Sequence, residues 1–107
     1  GLLARRRYHT GPDMTDISVT RGADVERLLS RFEVTVADDD TSRRHDVTLS
    51  SGDYERLGGA YPTPEDFVRA CFEFLLEREP KESILGSFDI AQIGGYFPEF
   101  ERNIQER

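Results

Sequence analysis

The chain has 107 residues and a formal net charge of −7, with 36% hydrophobic and 33% charged residues. This size and composition are typical of one domain that buries about two-thirds of the surface exposed by its unfolded chain. No stretch reaches the roughly 18 apolar residues of a membrane span, and a single cysteine excludes an internal disulfide. We therefore expect a cytoplasmic bacterial protein without a membrane partner.

Residues 1–13 differ in composition from the rest of the chain. They include three consecutive arginines, show no apolar periodicity and precede the only methionine, Met14. We interpret 1–13 as an expression remnant or a disordered N-terminal arm, and 14–107 as a single small globular domain. A genuine basic arm for nucleic acid or an acidic partner is the alternative. Without this segment, 11 basic residues face 20 acidic ones, a net charge of −9 that would repel a phosphate backbone.

The first strongly patterned region predicts an antiparallel β-hairpin. Apolar and polar residues alternate over residues 32–36 and again over 47–49, which is the period of a strand with one face in water. The polar stretch 38–44 between them contains turn-forming aspartates and a serine. We expect it to be a long, mobile loop that joins the two strands.

The elements beside this hairpin are less distinct. Residues 16–20 alternate weakly and predict a possible third strand, which would stabilise a ribbon that is marginal alone. Asp24 is expected to cap a short helix over residues 23–29. A second short helix is expected after Ser50, ending near Gly58.

The clearest helix is predicted between Thr63 and Pro80. Thr63 is a suitable N-cap, Pro64 suits the first helical position, and Pro80 ends the segment. At about 100° per residue the polar positions fall on one narrow stripe and apolar residues occupy most of the remaining circumference. The polar stripe consists of Asp66, Arg69, Glu73 and Glu77. Such a helix must be covered by neighbouring elements, so we predict that it is central and buried.

The C-terminal part predicts short helices. Ser87 is expected to cap a helix over residues 88–93 that ends at Gly94, and Pro98 is expected to open a last helix with Phe100 and Ile104 on its inner face. The whole pattern is α+β: an antiparallel hairpin with or without a third strand, then a central buried helix and two or more short C-terminal helices.

Several apolar and proline landmarks resemble a small family of uncharacterised bacterial proteins. The landmarks are FEFLLEREP at 72–80, ESIL at 82–85, FDI at 88–90 and YFPEFE at 96–101. The resemblance spans residues 32–104. It implies a bacterial origin and a compact domain, and it implies no activity and no functional residue.

Reactive side chains are scarce. Cys71 falls on the buried side of the central helix, where a thiol behaves as a small hydrophobic group, so we do not expect it to pair with His45 for catalysis. The run Asp38 to Asp40 lacks the glycine and glutamate that an EF-hand loop requires at its sixth and twelfth positions. Gly94 and Gly95 follow a predicted helix rather than a strand, which disfavours a phosphate loop. We predict no catalytic residue, cofactor or metal.

The remaining candidate is a surface that binds protein. Tyr96, Phe97 and Phe100 cluster near the C-terminus, and aromatic residues are enriched in interface hot spots. Burial of these residues under the last helix is the competing interpretation. We predict a protein-interaction or self-association module without catalytic activity. The alternative is a nucleic-acid-associated regulator that uses the C-terminal helices, in a helix-turn-helix arrangement over 83–104, or the basic N-terminal arm.

Overall fold

The computed structural model describes residues 15–107. The segment 1–13, which we interpreted as a remnant or an arm, lies outside the described residues. Single 3-10 turns are formed by Lys81–Ser83 and by Ile90–Gln92. The strands and helices of the described part are β1 (Asp16–Arg21), β2 (Leu29–Ala37), β3 (Ser42–Ser50), α1 (Ser51–Leu57), α2 (Pro64–Leu76), β4 (Ser87–Asp89), α3 (Ile93–Tyr96) and α4 (Phe100–Glu106).

The four strands found within residues 15–107 form one mixed sheet in the order β1-β2-β3-β4. The first three strands are antiparallel neighbours, and β4 pairs in parallel with β3. Val34 in β2 lies opposite Val19 in β1 and His45 in β3, which fixes the register of the three long strands. The α+β class is confirmed, and the possible third strand is present as β1.

The hydrophobic core lies between one face of this sheet and the helices. Every second residue is buried over residues 32–36 of β2 and 45–49 of β3, as the alternating pattern predicted. The buried strand residues are Phe32, Val34, Val36, His45, Val47 and Leu49. The opposite face carries partly exposed polar residues such as Thr35 and Thr48. The fold therefore has two layers, with the sheet on one side and the helices on the other.

Helix α2 is the central buried helix that the sequence predicted. The Thr63 hydroxyl accepts a hydrogen bond from the Asp66 amide at 3.1 Å, and Pro64 occupies the first turn. Arg69, Glu73 and Glu77 are exposed, whereas the apolar positions facing the sheet and the other helices are buried. The buried residues of α2 are Phe67, Val68, Ala70, Cys71, Phe72, Phe74 and Leu75.

The prediction of a helix over residues 23–29 is wrong. This segment is a turn in which the amides of Val25 and Glu26 both donate to the Leu29 carbonyl, at 2.9 and 3.4 Å. Strand β2 already begins at Leu29 and is paired along its length. The few residues between two antiparallel neighbours must reverse the chain, and this requirement overrides a weak local helix signal.

The predicted long loop at residues 38–44 is also shorter than expected. Strand β2 continues to Ala37 and β3 begins at Ser42, so only residues 38–41 connect them. The Asp38 carboxylate accepts hydrogen bonds from the amides of Asp40 and Thr41, both at 2.9 Å. An aspartate that satisfies backbone amides in this way closes a tight turn.

The C-terminal region departs most from prediction. Ser87 begins strand β4 and does not cap a helix; Asp89 is the cap, since its carboxylate accepts from the Ala91 amide at 2.9 Å. Gly94 lies inside α3 and does not terminate a helix, and Pro98 precedes α4 by two residues. The β4 pairing depends on the free edge of β3, a partner that the local sequence does not reveal.

Candidate functional site

The structure separates the three aromatic residues that the sequence grouped as an interaction surface. Phe100 is fully buried and meets the Phe74 ring edge to face, with the centroids 5.1 Å apart. Phe97 is partly buried and contacts the same ring at 5.8 Å. Tyr96 is 66% exposed. Two of the three residues therefore stabilise the fold, and Tyr96 alone of them offers a largely free ring to solvent.

Tyr96 and Phe97 border an apolar groove, which we call the C-terminal groove. It lies between the end of α2, the segment 83–88 and α3, and it has a volume of about 140 Å³. The residues lining it are Leu75, Glu79, Ser83, Ile84, Leu85, Phe88, Gln92, Ile93, Tyr96 and Phe97. Most of this lining is aliphatic or aromatic, and Ile84, Phe88 and Ile93 are also part of the hydrophobic core. The floor of the groove is thus a continuation of the core.

Leu85 forms the other exposed edge of the groove. Its side chain is 48% exposed, and its carbonyl is bound by the His45 Nδ1 atom at 2.7 Å. Because a carbonyl only accepts, Nδ1 carries the proton of this hydrogen bond. A buried side chain of the sheet therefore fixes the backbone that presents Leu85. Nothing in the sequence pattern indicated that Leu85 faces water.

A network of charges joins the β2–β3 turn to the 3-10 turn Lys81–Ser83, whose last residue lines the groove. The buried Lys81 ammonium contacts Asp38 at 2.6 Å and Glu82 at 2.9 Å. The hydrogen bond from Lys81 lowers the pKa of Asp38 to about 2, and two backbone amides contribute to the same shift. Glu79 lines the groove, and within the described residues it has no ion-pair partner. The groove therefore combines an apolar floor with a carboxylate that is unpaired as far as residues 15–107 are concerned.

Phe74 anchors the helices behind the groove. The Arg78 guanidinium lies 3.7 Å from the Phe74 ring centroid and its Nε donates to Glu99 at 2.9 Å. Arg107 donates to Glu77 at 2.6 Å, which lowers the pKa of Glu77. These contacts tie α4 and the turn before it to the end of α2, so the wall that carries Phe97 is held by several independent interactions.

The other reactive side chains considered from the sequence do not meet at an accessible site. Cys71 is fully buried, and desolvation raises the pKa of its thiol well above the usual value. His45 is buried against Phe72, and its Nε2 atom has no hydrogen-bond partner within the described residues. Among residues 15–107, no group of three or more histidine, cysteine or acidic side chains has an arrangement suited to a metal ion.

A second cavity, of about 160 Å³, lies at the opposite end of the sheet beneath the turn between β1 and β2. Arg21, Leu28, Ser30, Phe32 and Tyr54 contribute to its lining. Arg21 donates to the Ser30 hydroxyl at 2.7 Å and its guanidinium lies 5.7 Å from the Phe32 ring centroid. Two of the polar side chains that line this cavity, Arg21 and Ser30, thus already bind each other.

The segment considered for a helix-turn-helix arrangement has a different structure. Residues 83–104 contain β4, a 3-10 turn and the helices α3 and α4, which have four and seven residues. Helix α4 directs Phe100 and Ile104 into the core. The nucleic-acid alternative stays a prediction, and its basic arm lies outside the described residues.

Scans against protein-family models, curated proteins and solved structures found no match for this chain. The resemblance to an uncharacterised bacterial family stays a prediction. Over the described residues, no helix combines the length and the hydrophobicity needed to cross a membrane.

Proposed function

We propose that this domain is a protein-interaction or self-association module that binds another protein chain through the C-terminal groove. The observation that carries the proposal is the pairing of two exposed apolar side chains, Leu85 and Tyr96, at the border of a preformed apolar groove. Burying a large apolar side chain fully stabilises an association by about 1.5–3 kcal/mol, and tyrosine is among the residues enriched in hot spots.

The groove is supported by rigid elements, which favours binding without rearrangement. Phe88 belongs to the strand β4 that pairs with β3, and the Leu85 carbonyl is bound by His45. A preorganised surface loses little conformational entropy on binding. The buried thiol of Cys71, by contrast, lies where a substrate has no access, so the accessible chemistry of the domain favours contact over thiol catalysis.

The proposal is tested by site-specific photo-cross-linking in the cell of origin. Tyr96 is replaced with the photoreactive amino acid p-benzoylphenylalanine, and exposed Ala60, in the turn before α2, receives the same residue as a matched control. We expect irradiation to give discrete protein adducts from position 96 and none from position 60. Adducts with either another protein or a second copy support the proposal. Equal or absent adducts at the two positions would overturn it.

A further inference from the structure

We infer that the C-terminal groove binds residues 22–28 of a second copy, so that the chains associate head to tail. We call residues 22–28 the β1–β2 loop. The inference rests on the proposed function, since it names the occupant of the same groove. The large hydrophobic residues exposed within residues 15–107 are Val25, Leu28, Leu85 and Tyr96. Two of these border the groove, and the other two project from the β1–β2 loop.

The β1–β2 loop is a preformed projection. Val25 is 52% and Leu28 62% exposed. The Leu29 amide donates to the Glu26 carbonyl at 3.1 Å, and the Ser51 amide donates to the Leu28 carbonyl at 3.0 Å. The backbone that carries Val25 and Leu28 is thus bound both within its own turn and to the start of α1. Two apolar side chains on a fixed turn suit insertion into a groove.

A molecule cannot place this loop in its own groove. Leu28 precedes the first residue of β2, which pairs with Ser50 at the end of β3. Leu85 is bound to His45, near the beginning of β3. The five steps from His45 to Ser50 along β3 span about 17 Å at roughly 3.3 Å per residue. The loop and the groove therefore lie at opposite ends of the sheet, and contact between them requires two molecules.

One pair of charges on the two surfaces is of opposite sign. Glu79 lines the groove and Arg27 lies between the two apolar residues of the loop; within the described part of the chain neither has an ion-pair partner. Within residues 22–28, Asp24 and Glu26 are acidic and Arg27 is basic, and Asp24 lies 3.5 Å from Arg21, which precedes the loop. With Arg21 included the projection has no net charge, so on a chain with a net charge of −7 it is repelled little by an acidic groove, and Arg27 is available to pair with Glu79.

This contact is heterologous, because each molecule offers two different surfaces. Such contacts form open chains or closed rings, whereas a two-fold dimer would use the same surface twice. We therefore expect species larger than a dimer to grow with concentration. A substitution in the β1–β2 loop therefore leaves the groove intact, and a substitution in the groove leaves the loop intact.

The test is a mixing experiment by sedimentation velocity on the full chain. Leu28→Ser removes the projection and leaves the groove, and Tyr96→Ser weakens the groove and leaves the projection. Each variant alone is expected to associate about 10- to 100-fold more weakly than the wild type, because one large apolar side chain is no longer buried. An equimolar mixture is expected to form a 1:1 dimer that grows no further, since it retains one intact loop and one intact groove.

A control substitution and a stability check accompany these variants. Ala60→Ser must associate like the wild type, and all variants must keep the wild-type thermal transition. If Leu28→Ser fails this check, Val25→Ser replaces it. A Leu28→Ser variant that associates like the wild type overturns the inference in favour of groove-to-groove contact. A mixture that stays as monomeric as its components, beside a wild type that associates, overturns it as well. A wild type that is monomeric at millimolar concentration also overturns it, while adducts with another protein at position 96 would still support the proposed function.

Discussion

Helix α2 and the segment after it, residues 81–107, use the same kinds of residue in different ways. In α2 the aromatic side chains Phe67, Phe72 and Phe74 are all fully buried. In the later segment, Tyr96 is largely exposed, Phe97 is partly buried and Phe100 is in the core. The thirteen residues of α2 form one continuous helix, so its chain axis keeps one direction. In the short elements that follow, the chain changes direction every few residues. Long elements build this core, and short elements position its exposed groove.

Phe72→Ala should cause the largest loss of stability, because it removes a fully buried ring of α2. The Phe72 ring contacts both His45 and Phe88 across the core, and its removal leaves a cavity. We expect a loss of about 3–5 kcal/mol in the free energy of unfolding, measured by urea denaturation. Tyr96→Ala is the matched control and should change this free energy by less than about 0.5 kcal/mol. A similar loss in both variants would show that the two regions do not differ as described.

Asp89→Ala tests the corrected start of the C-terminal turns. The Asp89 carboxylate caps the Ala91 amide and accepts from the Thr48 hydroxyl at 2.6 Å. Loss of a cap and of a second hydrogen bond should cost about 1–2 kcal/mol in denaturation experiments. Ser87→Ala should cost little, since Ser87 is exposed and begins a strand. A larger loss in Ser87→Ala than in Asp89→Ala would restore the helix cap that the sequence predicted.

The sequence could predict those parts of the fold in which apolar and polar residues repeat with a constant period over many residues. The hairpin strands and α2 repeat their apolar pattern over enough residues to define a face. Strand β4 has three residues and depends on β3, and the turn at 23–28 depends on the pairing of β1 with β2. The groove was not predictable, because Leu75, Leu85 and Tyr96 meet only after these pairings form.

The ion pair between Asp38 and Lys81 should make stability depend on pH at both extremes. The folded-state pKa of Asp38, about 2, lies below its ordinary value of 3.8, so its contribution is complete above pH 4 and is lost as the pH falls through 2. The pKa of Lys81 is raised by the same hydrogen bond, so its contribution is complete below pH 10.5 and is lost as the pH rises through the folded-state value. Asp38→Asn should flatten the acid limb of a plot of melting temperature against pH. Asp39→Asn, at an exposed neighbour, should leave it unchanged.

We expect almost no alkylation of Cys71 in the folded protein, which is the smallest effect predicted. Its thiol is buried and its pKa is raised by desolvation, so both access and thiolate content are low. Iodoacetamide at pH 8 should label Cys71 in denaturant and leave it unlabelled in buffer, as followed by mass spectrometry. Rapid labelling of the native protein would mean that the centre of α2 opens to solvent.

The most direct measurement of the central claim is a concentration series of amide nitrogen–proton NMR spectra on the full chain. The claim is that association uses the C-terminal groove and the β1–β2 loop and leaves the core unchanged. We predict that resonances of Leu85 and Tyr96, and of Val25 and Leu28, shift or broaden together as concentration rises, while those of Phe72 and its neighbours in α2 stay constant. Concentration-dependent changes confined to the open polar face of the sheet would contradict the account.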